Sequence, residues 1–433
     1  MKTPQPLCQL STISFIFCAF LILPHASAQT DRFVATSGSN GGNNCASAAS
    51  PCATIGHALG QSTAGDRIRV AAGIYTESVT VDRSIEVVGD GMEDTIIQAA
   101  ATPDTASNRV FTVSSSDDTL TLRDLTVRHG FASGVSGVNS RGGAVYLSGS
   151  ALEAEHVAFV ANRANGRGGA IENAGGSVLL NFADLRDNIA GAVDGNFQRG
   201  GAIHNDGGGS ITAINSFFRG NTGAEGGAIY SFGSDSLLSL TNVAVTGNLA
   251  TSFGGGIANG AGPLMITNST FSGNHSSADT GAGGGAIRTG GSNPHPLIRN
   301  SVFHNNRDRT GTGTTTASIS SSASSNPRFS HSLVQGCGGS GSGWNTDCGT
   351  DLGGNLPNQN PQFSEVIPPT SAPNAGGNVR QRTGSPMIDR GNNSYIAGVS
   401  LDLDGLERII DNIVDLGPYE FGNDGLFSDR FEN

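Results

Sequence analysis

Hydrophobic and polar positions along this chain alternate with a period of two, interrupted at intervals by glycine and asparagine. From Asp66 onward the apolar residues pair as Ile68 and Val70, Val79 and Val81, Ile85 and Val87. Turn signals fall between them at Gly73, Asp82-Arg83 and Gly89-Asp90-Gly91. Such runs predict short strands joined by turns, which suits a sandwich or a solenoid. Ahead of them, Ile55, Ala58 and Leu59 keep helical spacing, so Thr54 to Ser62 predicts a short amphipathic helix. A stack of strands needs such a lid over its first open edge.

A repeat decides between sandwich and solenoid. A GGAV, GGAI or GGGI phrase opens at Gly142, Gly168, Gly200, Gly226, Gly254 and Gly284. An FxxN phrase, or its apolar variant, closes each unit at Asn162, Asn188, Asn221, Asn248, Asn274 and Asn306. The openings lie 26, 32, 26, 28 and 30 residues apart. A common unit with tolerated loop insertions marks a solenoid coil. Three residues before the closing asparagine stand Phe159, Leu185, Phe218, Val245, Phe271 and Phe303; eight before it stand Ala154, Leu180, Ala213, Leu240, Ile266 and Ile298. Ten before it, Leu152, Val178, Ile211, Leu238 and Leu264 form a further column that Pro296 interrupts.

The minus-ten and minus-eight positions share a strand face, whereas minus three has opposite parity. A corner must therefore lie between them, where Asn215, Asn242, Asn268 and Asn300 stand; asparagine tolerates left-handed backbone angles. Leu120, Leu122 and Val127 carry the same register upstream to Gly130. The fold expected is all-β, a parallel β-helix with an N-terminal helical cap. About ten coils are expected between Asp66 and Val334, a stack roughly 50 Å long at strand spacing.

Composition sharpens this picture. Of 433 residues, 64 are glycine, a share that would suit disorder if the apolar columns did not recur. Met1 to Ala28 has Lys2, an apolar run from Ile13 to Leu23 and an Ala26-Ser27-Ala28 cleavage site. It reads as a secretory signal peptide, which places the protein outside the cell or on its outer surface. No later stretch is apolar enough for a transmembrane helix. Losing Lys2, the only lysine, takes the formal net charge from −12 to −13, a balance that disfavours nucleic acid as a partner. Four cysteines then remain, Cys45, Cys52, Cys337 and Cys348, with three formal pairings. Local bridges 45–52 and 337–348 are the simplest in an oxidising compartment; metal binding is the rival reading, but neither pair has CxxC spacing.

The GGAI and FxxN pairs resemble the repeats of polymorphic outer-membrane proteins and, more broadly, of the pectin-lyase-like β-helix superfamily. That resemblance covers roughly Asp66 to Val334 and implies a right-handed coil. From Gly384, the run GSPMIDRGNNS and then DLDGLERIIDNIVDLGPYEF is similar to the segment closing many choice-of-anchor Q β-helix proteins, which implies a place at the cell surface. The boundaries expected are a signal peptide over 1–28, an N-terminal cap over 29–65 and repeats over 66–334. A disulfide loop with an irregular segment follows over 335–383, then a closing segment over 384–421 and a tail over 422–433.

Candidate chemistry lies in the positions that the repeat leaves free. The outward column after the glycine phrase reads Tyr146, Glu172, His204, Tyr230, Ala258 and Arg288. Stacked at strand spacing, Tyr146, Glu172, His204, Tyr230 and Arg288 form a candidate ligand-binding strip able to hold a sugar chain by stacking and hydrogen bonds. His204 beside Glu172 also has the makings of acid–base chemistry. Asp184, Asp187 and Asp194 with Arg186 and Arg199 are the nearest approach to a lyase acid cluster, but they sit within one coil. Asp402-x-Asp404-Gly405 is a fragment of a calcium loop better suited to a turn. No catalytic residue, metal or cofactor is assigned. The function expected is adhesion or binding to polysaccharide or to host or cell-surface glycan. The alternative is a polysaccharide lyase or hydrolase acting on an acidic or plant-type glycan.

Overall fold

The computed structural model describes residues 29–422 apart from 104, 192–197, 279–282, 292–294 and 397. The expected signal peptide, Asp194 and the tail from 423 lie outside the described residues.

The repeat winds as one parallel β-helix. In one coil, Val145–Ser148 forms the first face, and Ala151–Val160 is a long strand that bends at His156. Arg163–Ala164 then makes a short last face before Gly168 opens the next coil. Faces stack in register: Val145 pairs with Ile171, Phe159 with Leu185, and Arg163 with Ile189. The result is a wide eighteen-stranded sheet folded along a corner, a nine-stranded sheet and an eight-stranded sheet. Nine stacked strands on the second sheet, among the described residues, compare with about ten coils expected. Pairing between strands is parallel except for Arg307–Asp308 with Gly311–Thr312 and Phe363–Glu365 with Asn378–Gln381.

The corner lies where parity required it. Asn215, Asn242, Asn268 and Asn300 have φ of 48°, 54°, 47° and 48°. The same corner runs through Asp124, His156, Phe182 and His331 at φ of 53°, 51°, 50° and 46°, so asparagine suits the vertex without being required there. A second vertex is the glycine that opens each phrase: Gly254 has φ 67°, and a β-carbon there would stand 2.2 Å from the Ile257 carbonyl oxygen.

Inside the coils the aliphatic and aromatic columns are buried, each fully buried large side chain contributing on the order of 2 kcal/mol. Phe271 and Phe303 stack with ring centroids 4.7 Å apart. The closing asparagines form a second interior column. Asn188 Nδ2 donates back to Phe159 O (2.9 Å) and forward to Asn221 Oδ1 (3.0 Å), while Asn188 N also donates to Asn221 Oδ1 (3.0 Å). The pattern repeats from Asn162 through Asn274 to Asn306.

Both ends are closed. The helix Ile55–Gly60, N-capped by Thr54, buries Ile55, Ala58 and Leu59 over the first coil. Cys45–Cys52 and Cys337–Cys348 are both bridged, and Trp344 lies against Phe329 at 5.5 Å at the far end. The stretch Asp308 to Asn326, rich in threonine, serine and glycine, completes a rung. Thr314 caps the helix Thr315–Ser318, and Ile319–Ser321 pairs with Ile287–Thr289.

A feature absent from the periodicity is a second apolar core outside the coils. Phe217, Ala244, Val302 and Leu333 point outward from the wide sheet and meet Phe363, Val379, Met387, Leu403, Leu416 and Tyr419 of the C-terminal segment. The corner asparagines fasten that segment: Asn242 donates to Leu401 O (2.7 Å), Asn268 to Asp415 O (3.2 Å) and Asn300 to Asn392 O (3.1 Å). Arg408, 1% exposed, pairs with Glu420 at 2.6 Å and reaches Asn242 Oδ1 at 3.2 Å. The Asp402 loop is a turn: its Oδ1 accepts from Asp404 N and Leu406 N.

Candidate functional site

The outward column exists in the predicted register. Tyr146 pairs with Glu172, Glu172 with His204, His204 with Tyr230, Tyr230 with Ala258, and Ala258 with Arg288. Alternation along Val145–Ser148 turns Val145 and Leu147 inward, leaving Tyr146 to face out.

The expectation that an outward position is exposed does not hold here. Glu172 is 0% exposed and His204 1% exposed, and Tyr146 and Tyr230 are buried as well. The cover is a row of arginines, each reaching one coil forward. Arg141 Nη1 lies 3.5 Å from Glu172 Oε1, and Arg167 Nη1 donates to Asp206 Oδ2 at 3.0 Å. Arg199 Nε donates to Glu225 Oε2 at 3.0 Å while its guanidinium lies 4.7 Å from the Tyr230 ring centre. Arg109 lies 4.9 Å from the Tyr146 ring centre, close enough for cation–π attraction.

Beneath this cover the column holds a compact polar cluster. His204 Nδ1 stands 3.1 Å from Glu172 Oε2 and 4.0 Å from Asp206 Oδ2. Its ring stacks on Tyr230 at 5.4 Å with planes 3° apart. Burial pushes the Tyr230 hydroxyl up to about 12, with Arg199 opposing. Arg288, the last member of the strip, is separated from Tyr230 by Ala258 and bonds to Thr289 O (3.2 Å) and Ser320 Oγ (3.4 Å) instead. Of the expected acid cluster, Asp184 and its neighbour Arg186 lie on the wide sheet, where Asp184 is buried and bound by Arg186 and Arg219.

Sequence reasoning missed Arg141, Arg167 and Asp206, and it grouped Arg199 with the aspartates near Asp184 instead of with this column. A signal was there: an arginine directly precedes the double glycine in three coils, and Asp206 shares a strand face with His204 by period two.

Toward the amino-terminal end the column emerges. Tyr146 pairs with Thr112, and Thr112 with the exposed Thr80. Beside Thr112 opens a groove of about 370 Å³ lined by Ser78, Asn108, Arg109, Phe131, Ser133 and Asn139 among others. Arg109 is fixed at its edge: it donates to Val138 O and, at 3.4 Å, to Thr112 Oγ1.

No protein-family model matches the chain, and comparison with curated proteins returns no match. Solved structures do match in fold. Rhamnogalacturonan lyase is 12% identical, with 82% of this chain and 97% of that one covered and a TM-score of 0.43. Pectin methylesterase PemA from Erwinia chrysanthemi is 14% identical, with coverage of 71% and 79% and a TM-score of 0.34. Pectate lyase Pel9A is 16% identical across 91% of this chain and 97% of its own, with a TM-score of 0.53. That last likeness, joined to the coil topology, identifies the architecture as the right-handed parallel β-helix of the pectin-lyase-like kind.

Proposed function

We propose that this is a secreted or cell-surface β-helix that binds polysaccharide in the groove beside Thr112 and does not cleave it. The groove is the observation that carries the reading. Its lining of hydroxyls, amides, one guanidinium and the Phe131 ring suits a sugar chain, which offers hydroxyls to polar groups and a C–H face to a ring. The GGAI/FxxN repeats, similar to those of polymorphic outer-membrane proteins, and the closing segment, similar to that of choice-of-anchor Q proteins, support an adhesive role at the surface. Host or other cell-surface glycans are the partners in that case.

A glycan array probed with the mature chain tests this. Binding is expected to fall about tenfold in Phe131→Ala, a loss of roughly 1.4 kcal/mol. No binding on the array, together with turnover of a polysaccharide, would overturn it.

A second reading, a polysaccharide lyase or hydrolase, has fold-level support from the likeness to pectate lyase Pel9A. A fold hosts many activities, so this reading needs an assay of its own. Ultraviolet absorbance of unsaturated uronides, with and without calcium, and release of reducing ends decide it.

A further inference from the structure

We propose that Glu172, His204 and Asp206 form a binding site for one divalent transition-metal ion of the zinc type. The inference does not depend on the glycan groove, and its test is separate.

The three side chains come together because the coil register stacks Glu172 on His204, and Asp206 follows His204 on the same strand face. One ligand atom from each lies within 4.8 Å of the others. His204 Nδ1 is 3.1 Å from Glu172 Oε2 and 4.0 Å from Asp206 Oδ2. Bonds of about 2.0 Å in tetrahedral geometry place ligand atoms roughly 3.3 Å apart, so these separations need only small adjustment to close around one ion.

The second observation is that two of its members, Glu172 and His204, are buried with polar atoms that make no hydrogen bond. Both carboxylate oxygens of Glu172 and Nδ1 of His204 lack a hydrogen-bond partner, although the residues are 0% and 1% exposed. A buried carboxylate that has ion-pair neighbours but no hydrogen bond is costly, and one cation at the centre would engage Glu172 Oε2 and His204 Nδ1, leaving Oε1 to face Arg141. The His204 ring is already held by its stack on Tyr230, and the Asp206 carboxylate by Arg167. A hydrogen bond to the carboxylate, as Arg167 makes to Asp206, is what orients such a group when it ligates a metal.

Ligand chemistry selects the ion. Calcium takes six to eight oxygens, more than this set offers, whereas imidazole with carboxylates suits zinc and its neighbours. The Arg141 and Arg167 guanidinium groups beside the cluster repel any cation. They penalise one held by charge alone more than one that bonds to the imidazole nitrogen. Asp206, with 23% of its side chain exposed, leaves the cluster reachable from solvent.

The competing arrangement is a protonated His204 in an ion pair with Glu172, needing no metal. The mature chain, free of any histidine tag and stripped with a chelator, would be titrated with Zn²⁺ by calorimetry and with Co²⁺ by visible absorption. One equivalent of Zn²⁺ is expected to bind, Co²⁺ to give the intense bands of a tetrahedral site, and Ca²⁺ at equal concentration to give no heat. Glu172→Gln and His204→Ala should each weaken Zn²⁺ by more than about 100-fold, beyond the loss caused by removing a mere supporting partner. Absence of stoichiometric Zn²⁺ binding, or full affinity in both folded variants, would overturn the assignment in favour of the ion pair. Should the variants not fold, the wild-type Co²⁺ spectrum and its displacement by Zn²⁺ still decide.

Discussion

Two buried polar columns run up this solenoid, and they solve the problem of burial in opposite ways. The interior asparagines from Asn162 to Asn306 are fully hydrogen-bonded, each amide acting as both donor and acceptor toward the coils above and below. The column of Tyr146, Glu172, His204 and Tyr230 is just as dry, yet Glu172 and His204 retain atoms without hydrogen bonds. An amide complements a copy of itself, so one residue type can repeat at every rung. A carboxylate cannot: identical charges at a strand spacing of about 4.8 Å repel. The charged column must therefore change residue from coil to coil, which leaves room in it for site chemistry. Burial alone does not separate these two columns; hydrogen-bond satisfaction does.

That contrast can be broken most decisively in the asparagine column. Asn221→Ala would remove the partner of the Asn188 backbone N–H, of one Asn188 Nδ2 hydrogen and of the Leu185 carbonyl at once. A loss of roughly 3–5 kcal/mol is expected by chemical denaturation; a loss below about 1 kcal/mol would show the column to be dispensable.

Next in size comes a pH effect at the C-terminal segment, where buried charge is partly satisfied. Burial is the largest influence on Asp402 and Asp415 and raises both from 3.8 to about 6, against backbone N–H donors that favour the charged form. Their folded pKa values exceed the unfolded ones. The stabilisation is thus complete below about pH 4 and is lost as the pH rises through about 6. Each carboxyl accounts for on the order of 2–3 kcal/mol, read as slower proteolysis of the segment at pH 5 than at pH 8. Proteolysis that does not change across this range would count against a buried docking of these groups.

The smallest effect is expected where the polar atoms are unsatisfied. In metal-free protein Glu172→Gln should cost less than Asn221→Ala, because losing the charge contacts to Arg141 and His204 is offset by removing a buried charge that makes no hydrogen bond. Thermal melts of the two variants side by side would set Asn221 against Glu172 directly.

Much of the scaffold was legible. The Ile, Phe and Asn columns and the corner at Asn215, Asn242, Asn268 and Asn300 recur at fixed offsets, and recurrence is what sequence periodicity reports. The column of Tyr146, Glu172 and His204 was also legible as a register, but its burial was not. Burial depends on the reach of Arg109, Arg141, Arg167 and Arg199 across one coil, which no period expresses. Nor could alternation show that Phe217, Ala244 and Val302 are covered, since their cover comes from residues 363 to 419, far along the chain.

The fastening of the C-terminal segment gives the molecule a direction in mechanics. Coils are joined to one another by continuous ladders along the stack, whereas the segment through Tyr419 is held across them by the peripheral apolar core and by separate hydrogen-bonded points at Asn242, Asn268 and Asn300. Tension applied beyond Phe421 enters sideways through these points, one rung at a time, and loads the peripheral core before any coil. Tension applied at Asp31, which pairs with Arg67 in the first ladder, meets the coils themselves. A chain tethered by its C-terminal end thus has a peelable strap between the tether and the stack.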